Sequence, residues 1–123
     1  MKLTGAEEQL MEVIWDKNEV FLKDIIDSYP DPKPATTTIA TLLKRMQDKG
    51  FVGYQVYGNS RSYHPLVKKD DYFSHQVNGM IENHFDNSAL QFASFFTAAT
   101  NMTQAELEDL KKIVEQQIKN KQQ

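Results

Sequence analysis

A chain of 123 residues, 40% hydrophobic and 25% charged, has the composition of a folded protein with one ordinary core, or one small core and an appendage; it is not a disordered chain. It has no cysteine, which excludes a disulfide framework and any cysteine-based zinc or redox centre. The net charge of −3 is uneven, with −5 on residues 1–32, +6 on residues 33–69 and −4 on residues 70–123; a basic segment within an acidic chain is the footprint of phosphate binding, or else of a solvated face.

Thr4 and Glu7 have the T-x-x-E spacing of a capping box. Behind them Leu10, Met11, Ile14 and Trp15 recur at three- and four-residue spacing, the stripe of an amphipathic helix that Asp16-Lys17-Asn18 closes. Residues 20–29 predict a short second helix with Leu22, Ile25 and Ile26 inward, and Pro30, Pro32 and Pro34 make a stiff connector after it. A third helix is predicted from about Thr36 to Lys49, stopped by Gly50 at the C′ position. At about 100° per residue, Ile39, Leu42, Leu43 and Met46 share one arc. Thr37, Thr41 and Lys44 lie opposite, with Ala40 and Arg45 flanking them. Threonine is a mediocre helix former, so the run Thr36-Thr37-Thr38 calls for a reason other than propensity. One of Thr36 and Thr37 is expected to be the N-cap.

After Gly50 the period changes to that of strands, rich in Phe, Val and Tyr around a Gly58-Asn59 turn. Helix, helix, helix, hairpin is the order of a winged helix-turn-helix, in which the third helix enters the major groove and the wing lies along the backbone. The threonines then have a task, because small hydroxyl side chains approach base edges or phosphates closely and pack a thymine methyl on their own. The expected DNA-binding residues are Thr36, Thr37, Thr38, Ala40, Thr41, Lys44, Arg45 and Arg61. Thr37 and Thr41 are read as base contacts, Arg45 and Arg61 as phosphate contacts.

Residues 70–123 return to helix: Phe73, Val77, Met80, Ile81 and His84 or Phe85 at helical spacing, then the apolar "SALQFASFF". A second capping box, Thr103 and Glu106, precedes Leu107, Leu110, Val114 and Ile118. The fold class is thus mainly α with a small β-hairpin wing: a winged-helix DNA-binding domain over 1–69 and a helical dimerisation domain over 70–123. Phe73, Val77, Met80, Ile81, Phe92, Phe95, Phe96, Leu107, Leu110 and Val114 are the expected dimerisation residues. They could instead be the private core of a monomeric appendage, but so short a segment buries little apolar surface alone, which favours an intertwined dimer.

An enzyme has no footing here. His64, His75 and His84 are the only histidines, the last two too far apart for one helical turn, and no metal site or cofactor is expected. Phosphate loop, nucleophile elbow and paired-carboxylate motifs are absent. No apolar run reaches the roughly 20 residues of a membrane span, which makes a cytoplasmic protein the default. A winged-helix regulator responding to a small ligand and a winged-helix protein-interaction module remain as alternatives, since the fold hosts all of these.

"LTGAEEQLMEVIW", "ATTTIATLLKRMQDKGFV" and "SRSYHPLV" resemble, in order and over nearly the whole chain, the penicillinase-repressor family (BlaI/MecI type) of bacterial winged-helix repressors. The resemblance implies a homodimeric repressor of β-lactam resistance or related genes, bound to a near-palindromic operator on double-stranded DNA. It also implies release by cleavage through a membrane sensor protease, with no insertion of the repressor itself in the membrane. Position by position it places Thr37, Ala40 and Thr41 toward the groove and Arg45 toward phosphate. Where some relatives carry a long basic side chain, this chain has Thr37 and Ala40, so bidentate arginine-to-guanine readout there is excluded. A copper-sensing branch with a cysteine cluster is excluded as well. The cleavage region corresponds to Gln91, Phe92, Ser94 and Phe95, as Gln91-Phe92 and Ser94-Phe95 pairs in place of the Asn-Phe pair usual at the cut.

Overall fold

The first capping box closes as its spacing requires. In the computed structural model, which describes residues 2–123, the Thr4 N–H donates to Glu7 Oε1 at 2.8 Å and the Glu7 N–H donates to Thr4 Oγ1 at 3.2 Å. This box opens α1 (Gly5–Lys17), whose Leu10, Met11 and Ile14 are buried while Trp15 packs at the margin of the core.

The helix expected over residues 20–29 is corrected at its start. Val20–Phe21 form a short strand, β1, and only Leu22–Asp27 are helical, as α2. Valine and phenylalanine suit a pleated surface better than a helix, and Val20 pairs with Tyr63 while Phe21 pairs with Ser62. Ile25 is buried on α2, with Leu22 and Ile26 partly so.

The third helix, α3 (Thr36–Asp48), buries Ile39, Leu43 and Met46, with Leu42 packed beside them. Its N-cap is neither Thr36 nor Thr37 but Ala35, which takes the extended cap conformation after Pro34 and has no side-chain acceptor to offer the first turn. Thr36 is therefore already the first helical residue, and none of the three threonines has a capping duty. At the other end Lys49 is the C-cap and Gly50 the C′ residue, at a φ of +83° that favours glycine. The Phe51 N–H donates to the Met46 carbonyl at 2.9 Å and the Gly50 N–H to that of Gln47 at 3.0 Å, a Schellman closure that turns the chain straight into the sheet.

The hairpin consists of β2 (Val52–Tyr57) and β3 (Ser60–Pro65), joined by Gly58 and Asn59 with Gly58 at a φ of +62°. Tyr54 pairs with Tyr63 and Val56 with Arg61 across it. With β1 added, the sheet has three antiparallel strands in the order β1-β3-β2.

Three helices follow: α4 (Lys69–His84), α5 (Ala89–Ala99) and α6 (Gln104–Lys121), the last opened by the Thr103–Glu106 capping box. The chain divides into two compact units between Gln76 and Val77, so the opening turns of α4 belong to the first. The reason lies in its aromatic residues. Tyr72 is buried; its hydroxyl accepts from the Leu3 N–H at 3.2 Å and donates to Glu8 Oε2 at 2.8 Å. Phe73 lies 5.8 Å from the Trp15 ring, and Trp15 Nε1 donates to the Val67 carbonyl at 2.9 Å. A boundary at residue 69 would part these side chains from their neighbours. The buried hydrophobic core, from Leu3 to Tyr72, lies wholly in the first unit. Each fully buried Ile, Leu or Met there contributes about 1.5–3 kcal/mol.

In the second unit, Phe85, Phe92, Phe95 and Phe96 approach one another at ring distances of 5.2–6.1 Å. Even so, no residue from 77 to 123, all of them described, is buried. No described helix is long and apolar enough to cross a membrane.

Candidate nucleic-acid interface

The inward arc of Ile39, Leu43 and Met46 fixes which face α3 turns outward. Thr36, Thr37, Thr38, Ala40, Thr41, Lys44 and Arg45 are all exposed on α3, and Arg61 is exposed on the wing. The face is one of small and hydroxyl side chains with cations at its far end. Ala40 and the hydroxyls of Thr36–Thr38 come at the N-terminal turns, where the helix dipole favours a negative group. Thr41 Oγ1 donates back to the Thr37 carbonyl at 2.8 Å.

The +6 of residues 33–69 is not all available to a phosphate. Lys33 Nζ donates to the Asp27 carbonyl at 2.9 Å and also to that of Tyr29, closing the end of α2. Lys49 is held by Glu7 at 2.6 Å and Lys69 by Glu12 at 2.9 Å. Lys44 meets Asp48 at 3.0 Å, but with both side chains more than 60% exposed this pair is worth little and opens readily to a phosphate. Among the described residues, Arg45, Arg61 and Lys68 have no acidic partner.

Arg61 is held in another way. Its guanidinium carbon lies 4.2 Å from the centroid of the Tyr54 ring, and Tyr54 leans in turn on the buried Tyr63 at 6.0 Å. Val56 stands opposite Arg61 on the same face of the hairpin, so the alternation of the strands puts Tyr54, Val56 and Arg61 together. Sequence reading named Arg61 and missed Tyr54; the hairpin register, once counted from the Gly58-Asn59 turn, would have found it.

Behind the interface stands one buried charge. Glu7 is fully buried, and its Oε1 takes both the Thr4 N–H and Lys49 Nζ, while its Oε2 has no partner. Burial alone would raise its pKa; the hydrogen bonds from Lys49 and from the Thr4 backbone and hydroxyl outweigh it and hold the carboxyl below the ordinary glutamate range. Lys49 is the C-cap of α3 and Glu7 lies in the first turn of α1, so this pair joins the start of one helix to the end of the other.

The other candidates stand on other elements of the chain. Phe73 stacks in the first unit and is about one third exposed. Val77, Met80, Phe95, Phe96, Leu107 and Val114 are exposed, and Ile81, Phe92 and Leu110 half-buried, all in the second unit. Gln91, Phe92, Ser94 and Phe95 all sit within α5, whose N-cap Ser88 accepts from the Gln91 N–H at 3.1 Å.

The family profile described as Penicillinase repressor matches residues 3–116. The methicillin resistance regulatory protein MecI of Staphylococcus aureus (strain N315) is 25% identical over 114 residues, covering 92% of this chain and 93% of that protein. The protein of the same description from Mammaliicoccus sciuri is 24% identical over the same length. The solution structure of the DNA-binding domain of the repressor BlaI aligns with a TM-score of 0.52 at 26% identity, covering 58% of this chain and 88% of that one.

Proposed function

The chain belongs to the penicillinase repressor family, a family of DNA-binding transcriptional repressors, and we propose that it works as a homodimer on a near-palindromic operator controlling β-lactam resistance or related genes. The observation that carries this reading is the outer face of α3, where seven exposed small, hydroxyl and basic side chains stand on a helix whose other face is locked in the core. Thr37, Ala40 and Thr41 read bases; Arg45 and Arg61 hold phosphates, Arg61 from a position fixed by Tyr54. Selection of bound duplexes from a random pool tests the reading, with half-sites about one helical turn or a multiple apart as the expected product. Recovery of no common sequence would count against it.

Within that reading, Arg45→Ala is expected to weaken all duplexes alike and to flatten the dependence of log affinity on log salt by about two in a dimer, one phosphate contact per protomer. Fluorescence anisotropy over a salt series measures this. A change in the preferred base with an unaltered slope would move Arg45 from backbone to base.

Release is proposed to follow cleavage between residues 90 and 97 through a sensor protease. Gln91, Ser94 and Phe95 are exposed, but all lie within α5, so the helix has to unwind locally before a protease can take it as an extended strand. Mass spectrometry of the repressor from β-lactam-treated cells should find a cut in that span. An intact chain accompanied by full derepression would exclude this route.

A further inference from the structure

Thr41 stands on the exposed face of α3 one turn after Thr37, and its hydroxyl is already engaged, donating to the Thr37 carbonyl at 2.8 Å. A threonine hydroxyl has a single hydrogen to give. With that hydrogen held inside the helix, Thr41 presents to a groove only its methyl group and the lone pairs of an oxygen. Guanine shows two acceptors in the major groove, N7 and O6, and neither can be satisfied by such a side chain. Thymine shows one acceptor and a methyl group, and the methyl is the part that fits. Ala40, exposed on the same face, adds a second methyl and no polar atom. Lys44, one turn on, reaches toward Asp48.

From this geometry we infer that Thr41 and Ala40 form a methyl platform that selects thymine through its 5-methyl group, with the Thr41 hydroxyl serving the helix and not the base. The inference rests on the assignment of α3 to the major groove. The Thr37–Thr41 bond also sets the platform, since a side chain pinned at its oxygen has its methyl held in one rotamer. An adenine or cytosine amino group donating to the Thr41 oxygen is the competing arrangement, and it has a different chemical signature.

The test uses the intact protein and its selected duplex, with each thymine replaced in turn by deoxyuridine, which removes the methyl and keeps every hydrogen-bonding edge. Replacement at one position in each half-site should lower affinity about three- to fivefold, the value of one buried methyl group. Thr41→Val, which keeps the methyl and lacks the hydroxyl, should bind the parent duplex about as well and retain the deoxyuridine penalty. Thr41→Ser, which keeps the hydroxyl, should reduce that penalty, leaving only the share that Ala40 supplies. The inference is overturned if deoxyuridine is neutral at every position, or if Thr41→Val loses affinity tenfold while Thr41→Ser does not. Failure of the intact protein to bind any duplex would instead overturn the DNA-binding assignment itself, so the two failures are told apart.

Discussion

Ending the chain after Gln76 is expected to lower affinity for a palindromic operator about 10²- to 10⁴-fold while leaving the reading domain folded. The fold should survive because every buried hydrophobic residue, Tyr72 included, precedes the cut. Affinity should fall because two linked reading heads bind with an effective concentration that a single head lacks. The linking surface follows from what the second unit leaves uncovered. Among its described residues none is buried, and Leu90, Phe95, Phe96, Leu107, Ile113, Val114 and Ile118 are all at least 40% exposed. So much apolar surface is unusual on a monomer, and a second copy of the same surface is a partner always at hand. Sedimentation of the intact protein at micromolar concentration should give a dimer, and of the shortened chain a monomer. An intact protein that sediments as a monomer would contradict the proposed dimer. A cut after Lys69 is a poorer test, since it also strips Tyr72 from the core and leaves the Leu3 N–H without its partner.

The second large effect is expected at Glu7. Glu7→Ala should destabilise the reading domain by about 2–4 kcal/mol: removing one partner of a buried ion pair costs about 3–5 kcal/mol, and loss of the hydrogen bond from the Thr4 N–H to the Glu7 carboxylate about 1 more. The total is reduced because the Lys49 side chain is 28% exposed and can turn to water once unpaired. For a domain of this size that is a fall of about 8–30 °C in Tm. The pair also fixes a pH dependence. The folded carboxyl titrates below its unfolded value, so the native state holds fewer protons there and gains stability above the unfolded pKa. That gain is present at neutral pH and is lost as pH falls below about 5 and on through the folded pKa. Glu7→Gln keeps an acceptor for the Thr4 N–H and should remove this share of the acid sensitivity. Glu106, also held low by the Thr103 backbone and hydroxyl, lies in the second unit and titrates in both forms of the protein. Equal acid slopes for the parent and Glu7→Gln would show that titration of Glu7 contributes nothing to the acid sensitivity.

Periodicity and caps carried most of the fold into view. The stripe of α1, the inward arc of α3, the Gly58-Asn59 turn and both capping boxes are short-range patterns, and each stands in the structure where the spacing puts it. What sequence did not reveal depends on partners far along the chain. β1 is two residues long, too short to show a period, and exists because Val20 and Phe21 find β3 some forty residues later. Glu7 reads as a capping residue, which it is, but its burial depends on Lys49, 42 positions away. The same distance problem affects the charge count, because Lys33, Lys49 and Lys69 find carbonyl or carboxylate partners that composition does not show. Ala35 as N-cap was hidden by the threonines after it, which are better cap formers in general.

On the proposed function, the outer face of α3, carried twice on one dimer, holds DNA by phosphates as well as bases. The most direct measurement is the affinity of the intact protein for a selected duplex, and for a random one, over a range of salt. Two or three free cations per protomer imply a slope of log affinity against log salt of about −3.6 to −5.4 on the selected duplex, with saturation at two protomers per duplex. Affinity that does not change with salt, or saturation at one protomer, would contradict it.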